Sequence, residues 1–460
     1  MVFSSVVFLF VFLPCVFLLY LVIPSLRLKN LLLTVMSLLF YAYGEPVYVG
    51  LMMISAFINY IFGLLVKKVA AAKIVVAMAV LVNIGMLGVF KYSGFIIENV
   101  NQLLGSEIPM PKIALPIGIS FFTFQALSYV IDVYRKEVDV QRDFGKILLY
   151  ISFFPQLIAG PIVKYHDIEK EMDHRKQTVT GVAKGIRRFI IGLSKKILIA
   201  NVMGQAADYV FGLNSSGINV WSAWLGAISY TLQIYYDFSG YSDMAIGLGE
   251  MFGFHFLENF NYPYSADSIQ DFWRRWHISL STWFKEYLYI PLGGNRKGKG
   301  RTAINKMVVF FSTGLWHGAS WNFVIWGMIH GTFLILEDSV IKIKNCRFRM
   351  IRHFYVMLVT VLTFVLFRAE TLGKAGAVFL AMFGGNGFTS ENISMARYMI
   401  TIEVIATMMI GLIFSFPVKQ KIEHKKWLEC CSYVITLGLL LLCIFRLSTA
   451  SYNPFIYFRF

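Results

Sequence analysis

The sequence predicts an all-α, polytopic integral membrane protein, a single domain over residues 1–460. It predicts about 11 transmembrane helices plus re-entrant and interfacial helices. Three observations carry this. The chain is 57% hydrophobic and only 15% charged, with a mean hydropathy of +0.63; soluble domains carry about a quarter charged residues. Apolar runs of spanning length recur along the chain. The basic residues sit in short loops between them, where topology places them.

A bilayer crossing needs about 20 mostly apolar residues. Candidate runs lie at 6–23, 31–43, 47–66, 74–90, 117–133, 147–163, 189–203, 221–235, 323–336, 354–367, 398–414 and 432–445. Several are short for a clean crossing. The pieces 241–255 and 307–316 are shorter still and rich in glycine. Irregular helices at membrane depth are tolerated only where protein or a cavity shields them, so these read as re-entrant. The start of the chain, Met1-Val2-Phe3-Ser4-Ser5, lacks a basic region, and the run that follows is long enough to span. The expectation is a retained first helix, not a cleaved signal.

The loops alternate in charge. Arg27 and Lys29 follow the first run, Gly44-Glu45-Pro46 follows the second, and Lys67, Lys68 and Lys73 follow the third. Basic cytoplasmic loops then put the N-terminus outside. The basic segments 164–196, 274–306, 342–352 and 419–426 fall on the cytoplasmic side, and 371–397 and the C-terminus face outward. The net charge of +16 thus follows from topology and does not point to nucleic acid. The five cysteines, Cys15, Cys346, Cys430, Cys431 and Cys443, form no CxxC pair, and an odd number closes no disulfide framework. They read as buried small hydrophobes.

Chemistry concentrates in the second half. The stretch 259–287 mixes Trp273, Trp276 and Trp283 with Arg274, Arg275, His277 and several hydroxyls. Ser268 reads as an N-cap with Asp271 in the first turn. This is either an interfacial helix or a basic, aromatic-lined mouth for an anionic cytoplasmic ligand. The turn Pro291-Leu292-Gly293-Gly294-Asn295-Arg296-Lys297-Gly298-Lys299-Gly300-Arg301 offers cations for phosphates, or is simply a positive-inside loop. It is not a P-loop, since GxxxxGK[ST] is absent.

Two histidines, His317 in Leu315-Trp316-His317-Gly318 and His330 in Met328-Ile329-His330-Gly331, interrupt apolar sequence. Ionisable residues at membrane depth are expensive and mark function. A buried neutral imidazole can take a hydroxyl proton as that hydroxyl attacks a carbonyl. The competing reading is a packed histidine bonded to a carbonyl. His166, His174, His255, His353 and His424 lie in or beside loops and receive no role. There is no HExxH, no zinc-spaced His/Cys cluster and no GxSxG.

These residues also carry a resemblance. The chain resembles the membrane-bound O-acyltransferase (MBOAT) family, in the bacterial branch of the alginate O-acetylation membrane subunit. The likeness runs through Phe40-Tyr41-Ala42-Tyr43, Leu115-Pro116-Ile117-Gly118-Ile119-Ser120-Phe121-Phe122-Thr123-Phe124-Gln125 and Ser128-Tyr129-Val130-Ile131-Asp132-Val133-Tyr134-Arg135. It continues in Phe153-Phe154-Pro155-Gln156-Leu157-Ile158-Ala159-Gly160-Pro161-Ile162, Tyr236-Asp237-Phe238-Ser239-Gly240-Tyr241-Ser242-Asp243, the stretches 272–287, 292–296 and 314–318, and the tail Phe455-Ile456-Tyr457-Phe458-Arg459-Phe460.

The resemblance implies the MBOAT fold in a bacterial plasma membrane. It implies that His317 is catalytic, that His277 is a second polar group orienting donor or acceptor, and that the packing reading leads for His330. It further implies O-acetylation of a cell-surface or exopolysaccharide hydroxyl. The acyl donor enters from the cytoplasm as acetyl-CoA, with no permanently bound cofactor and no metal. Arg274, Arg275 and Arg296 suit its phosphates. A separate extracytoplasmic, esterase-like acetyltransferase partner then decorates the polysaccharide. The alternatives are D-alanyl transfer from a carrier protein to teichoic acid, an acyl or glycan transporter without chemistry, and a scaffold that anchors a secreted enzyme.

Overall fold

The computed structural model describes residues 1–460 except 112, 342, 418–425, 450–451 and 457–460. Most of the basic segment 419–426 and the last four residues of the tail therefore lie outside the described residues. Among the described residues every regular element is a helix. The chain folds as two compact units, Met1–Phe189 with Ser242–Leu257, and Ile190–Tyr241 with Glu258–Phe460.

In chain order the longer helices are α1 (Leu13–Val22), α2 (Leu26–Ala42), α3 (Tyr48–Lys68), α4 (Ala72–Leu104), α5 (Ile119–Arg135), α6 (Phe144–Ser152), α7 (Tyr165–Asp173), α8 (Val179–Gly212) and α9 (Val220–Met251). Then come α10 (Ile269–Arg275), α11 (Ile278–Phe284), α12 (Gly298–His317), α13 (Trp321–Ile341), α14 (Arg349–Arg368), α15 (Leu372–Met382), α16 (Ser390–Met399), α17 (Ile402–Phe414) and α18 (Lys426–Thr449). Among the described residues six helices are long and apolar enough to cross a membrane: α3, α4, α8, α13, α14 and α18 from Cys431 onward. The pair α16 and α17, bent by 63°, brings the number to seven if it forms one span.

Several runs change when seen in space. The piece 241–255 is no separate element, because α9 continues unbroken to Met251. The run 307–316 is the second half of a 20-residue helix, α12. The run 147–163 is interrupted at Phe153, whose backbone leaves helical geometry (φ −53°, ψ 111°) between the end of α6 at Ser152 and a four-residue helical piece at Phe154–Leu157. Pro155 sits in the first turn of that second piece, where a missing N–H costs nothing because no intrahelical acceptor faces it. The stretch 268–287 is not one helix but two short ones, broken at Trp276 and His277. The cysteines are less uniform than their residue type suggests. Cys443 is buried, whereas Cys15 and Cys431 are exposed and Cys346 is half-buried.

The first unit buries phenylalanines that composition alone would leave facing lipid. Phe3, Phe8, Phe12, Phe40 and Phe154 pack together, with Phe12 and Phe154 at 5.4 Å between ring centroids. Within the same unit Asn59 of α3 and Asn83 of α4 exchange amide hydrogen bonds of 2.8 and 3.2 Å. Such pairs hold helices together where lipid offers no hydrophobic drive.

In the second unit two glycines let α12 and α13 approach closely. A Cβ on Gly314 of α12 would stand 2.4 Å from the carbonyl oxygen of Phe323, and one on Gly327 of α13 would stand 2.3 Å from that of Phe310. Only residues without a side chain let two backbones approach so closely. This approach brings His317, at the end of α12, and His330, in the middle of α13, against the same Trp326 ring.

The same unit holds a buried ion pair. Lys196 of α8 lies 2.9 Å from Asp237 of α9, with the two side chains 4% and 1% exposed. Asp237 Oδ2 also accepts the Ile456 N–H at 2.8 Å, and Lys196 Nζ donates to the Pro454 carbonyl. Tyr452 donates to Asp208 at 2.7 Å, the residue that also receives Arg368 at 2.7 Å. The C-terminal segment is thereby tied through its backbone to charges on two helices.

Candidate active site

The site lies within the second unit. His317 is the last residue of α12, buried at 6% exposure. Gly318, with φ −169° and ψ 153°, takes the chain out of helical geometry. The His317 ring meets Trp326 and Phe367 edge-on, both at 5.2 Å between centroids, and Trp316 at 5.0 Å. A cavity opens beside it, lined by Ile234 and Phe238 of α9, Trp276, Trp326 of α13, and Phe364 and Phe367 of α14. One imidazole thus faces an apolar, aromatic chamber.

His277 sits between α10 and α11 and is wholly buried. Its backbone occupies the left-handed region, φ 43° and ψ 56°. That conformation costs a non-glycine residue of order 1 kcal/mol or more, and persists only where surrounding contacts impose it. Here two backbone bonds do so, Ile278 N–H to the Asn259 carbonyl at 2.9 Å and Asn261 N–H to the Arg275 carbonyl at 2.9 Å. The His277 ring packs on Phe238 at 4.5 Å and on Trp316 at 5.8 Å. Burial first, and repulsion from His317 second, hold its pKa well below the usual histidine range. The imidazole is therefore neutral.

The structure brings His277 and His317 together through shared neighbours: Trp316 touches both rings, and Phe238, against His277, lines the cavity beside His317. His330 is different. Its Nδ1 accepts from the Trp273 indole at 3.3 Å and its Nε2 lies 3.0 Å from the Thr363 hydroxyl. Both ring nitrogens are thus occupied by protein groups, the geometry of a packing residue. Of the remaining histidines, His166 bonds to Asp132, His255 to Glu171 and His353 to the Ala266 carbonyl. His424 lies outside the described residues.

The cations sit at the surface. Ser268 caps α10 by accepting the Asp271 N–H at 3.0 Å, as the sequence predicts. Arg275 is already engaged, with Asp271 at 2.9 Å and the Asn261 carbonyl at 3.4 Å. Arg274 is exposed at the end of α10, and Arg296 is exposed in the turn before α12. Among the described residues no hydrogen bond or ion pair joins Arg296 to either. Trp276 lies in the aromatic stretch that the sequence singles out, but sequence reasoning passed over Asn259 as a site residue and the cavity aromatics Trp326, Phe364 and Phe367. Asn259 stood in the polar stretch already singled out. The aromatics had no signal, because most aromatic residues in such a chain only pack.

Comparison with known proteins gives the family. The profile of the membrane-bound O-acyltransferase family matches residues 31–372. A protein of Azotobacter vinelandii named "Probable alginate O-acetylase AlgI" is 38% identical, over 100% of both chains. The "Peptidoglycan O-acetyltransferase" of Helicobacter pylori is 33% identical over 100% of this chain and 98% of its own. The "Teichoic acid D-alanyltransferase" of Bacillus subtilis is 27% identical over 53% of this chain and 67% of its own. A multi-pass helical chain, matched by this profile over residues that include both His277 and His317, belongs to the membrane-bound O-acyltransferase family and is an acyltransferase.

Proposed function

We propose that the protein is an O-acetyltransferase of the bacterial plasma membrane, passing acetyl from cytoplasmic acetyl-CoA to an extracytoplasmic hydroxyl for O-acetylation of a cell-surface or exopolysaccharide. The observation that carries the reading is His317, buried at the end of α12 against an aromatic cavity with a second imidazole nearby. A hydroxyl is a poor nucleophile at neutral pH. His317 takes its proton while the oxygen bonds to the thioester carbonyl carbon, and as the C–S bond breaks the imidazolium returns that proton to the departing CoA sulfur. The aromatic walls exclude water, which would otherwise hydrolyse the thioester.

Direction follows from the basic loops. The N-terminus faces outward, and about 11 crossings result once short and bent helices such as α1, α2, α5 and α16–α17 are counted with the long ones. Arg274, Arg275 and Arg296 then lie on the cytoplasmic side, where the phosphates of CoA arrive. The acceptor is the serine of an extracytoplasmic, esterase-like partner or the polymer itself. Relatives that match the whole chain carry O-acetylase or O-acetyltransferase in their names, whereas the D-alanyltransferase matches about half.

The test is direct. The purified protein in nanodiscs receives acetyl-CoA labelled on the acetyl group, with and without a candidate partner. Thioester loss with label on the partner or glycan is expected. No turnover by folded protein, restored by an acyl carrier protein, would move the reading to D-alanyl transfer. The donor site has its own test. The double substitution Arg274→Ala and Arg275→Ala is expected to raise the KM for acetyl-CoA by about tenfold, the worth of one or two charge-assisted phosphate contacts. An unchanged KM in stable protein removes these residues from the donor site.

A further inference from the structure

Asn259 makes a set of contacts that decides which nitrogen of His277 carries the proton. Its Oδ1 lies 3.2 Å from the Ser279 backbone N–H, 2.9 Å from the Ser279 hydroxyl and 3.2 Å from His277 Nδ1. A backbone N–H can only donate, so the amide atom facing it is the oxygen and not the NH₂ group. An amide oxygen can only accept, so the Ser279 hydroxyl spends its proton on it. The hydroxyl then offers His277 Nδ1, 3.5 Å away, only lone pairs. Both polar neighbours of Nδ1 are acceptors. Nδ1 must therefore be the donor.

A neutral imidazole has one proton. With that proton on Nδ1, Nε2 is a bare lone pair. Nε2 is buried and has no hydrogen-bond partner among the described residues. A buried acceptor left without a partner costs of order 1–3 kcal/mol. The left-handed backbone at His277 adds strain that the Asn259 segment holds in place. Both costs are spent on a residue beside the cavity of His317.

We infer that Asn259 is a positioning residue that holds His277 as its Nδ1–H tautomer, so that Nε2 is presented as an acceptor to an O–H or N–H donor of the bound acceptor substrate. This rests on the acyl-transfer reading and sharpens it. A thioester carbonyl offers only lone pairs and cannot satisfy Nε2. The donor then comes either from the acceptor substrate, next to the hydroxyl whose proton goes to His317, or from a pantetheine amide N–H of CoA; the acceptor-side role leaves the KM for acetyl-CoA unchanged when Asn259 is lost, whereas the CoA role raises it.

The tautomer is measured without any reaction, so the result stands apart from the identity of the acyl group. The full-length protein, labelled with ring-¹⁵N histidine, gives a spectrum in which His277→Gln assigns the signal by difference. A protonated Nδ1 and a bare Nε2 are expected, unchanged in Ser279→Ala, where the backbone N–H still orients Asn259. Asn259→Ala is expected to lose that tautomer and to slow acetyl-CoA turnover roughly 10²-fold through misplacement of the acceptor, with the KM for acetyl-CoA unchanged. A proton on Nε2 of His277 in the wild-type protein would overturn the inference, whether or not Asn259→Ala folds. So would an Asn259→Ala protein that keeps both its tautomer and its turnover.

Discussion

Replacing His317 with alanine is expected to lower acyl transfer by about 10²–10⁴-fold, the range lost when a positioned general base is removed. The loss should fall on kcat. On the proposed mechanism His317 acts on a proton in flight, and its ring packs on Trp316, Trp326 and Phe367. Folding should survive. The histidine is the last residue of α12, and the glycine-mediated contact with α13 lies in the helices behind it. His317→Gln separates shape from chemistry, because glutamine keeps polarity and most of the volume but cannot take the proton. It is expected to be as inactive as alanine. Label transfer from acetyl-CoA, run beside a thermal melt of each variant, checks both. A glutamine variant with wild-type turnover would remove proton transfer from the role of this residue.

Lys196→Met is expected to destabilise the second unit by about 3–5 kcal/mol, the cost of stranding a buried charge when its partner is removed. The carboxylate left behind belongs to Asp237, at 1% exposure. Asp237 also receives the Ile456 N–H, and Lys196 donates to the Pro454 carbonyl, so the single substitution frees one end of the C-terminal tether as well. The double variant Lys196→Met, Asp237→Asn should recover most of the loss. Its side chain carries no charge, yet the amide oxygen can still accept from Ile456. Thermal unfolding in one detergent gives the comparison. If the single variant melts with the wild type, the pair is not what holds these helices and the tail. If the double variant melts no higher than the single, the cost lies in lost packing and not in the uncompensated charge.

Much of this was readable from residue order because it depends on local chemistry. Spanning helices are set by the length of apolar runs, and α3, α13 and α14 lie within a few residues of where those runs predict them. The Ser268 cap is a contact three residues long and needs no tertiary context. His317 stands out because an ionisable group in apolar sequence is costly wherever it ends up.

Other features are set by partners distant in the chain. The continuity of α9 through Gly240, Gly247 and Gly249 is one. Glycine reads locally as a break, yet a Cβ at Gly240 would meet the Gly192 carbonyl at 2.7 Å, so packing and not flexibility explains it. His330 and His317 look alike in sequence, each followed by glycine. They separate in space: Thr363 and Trp273 meet both ring nitrogens of His330, whereas His317 lines a cavity. His277 and Asn259 stand 18 residues apart. Their hydrogen bond exists only because the chain doubles back between α9 and α11. A helical membrane protein and its most conspicuous histidine are legible in residue order, since solvation energy acts on each residue alone, whereas the acyltransferase reading rests on motifs that resemble a known family. Folding in space decided which histidine lines an aromatic cavity and which is bonded through both ring nitrogens, because a hydrogen bond requires its partner within about 3 Å.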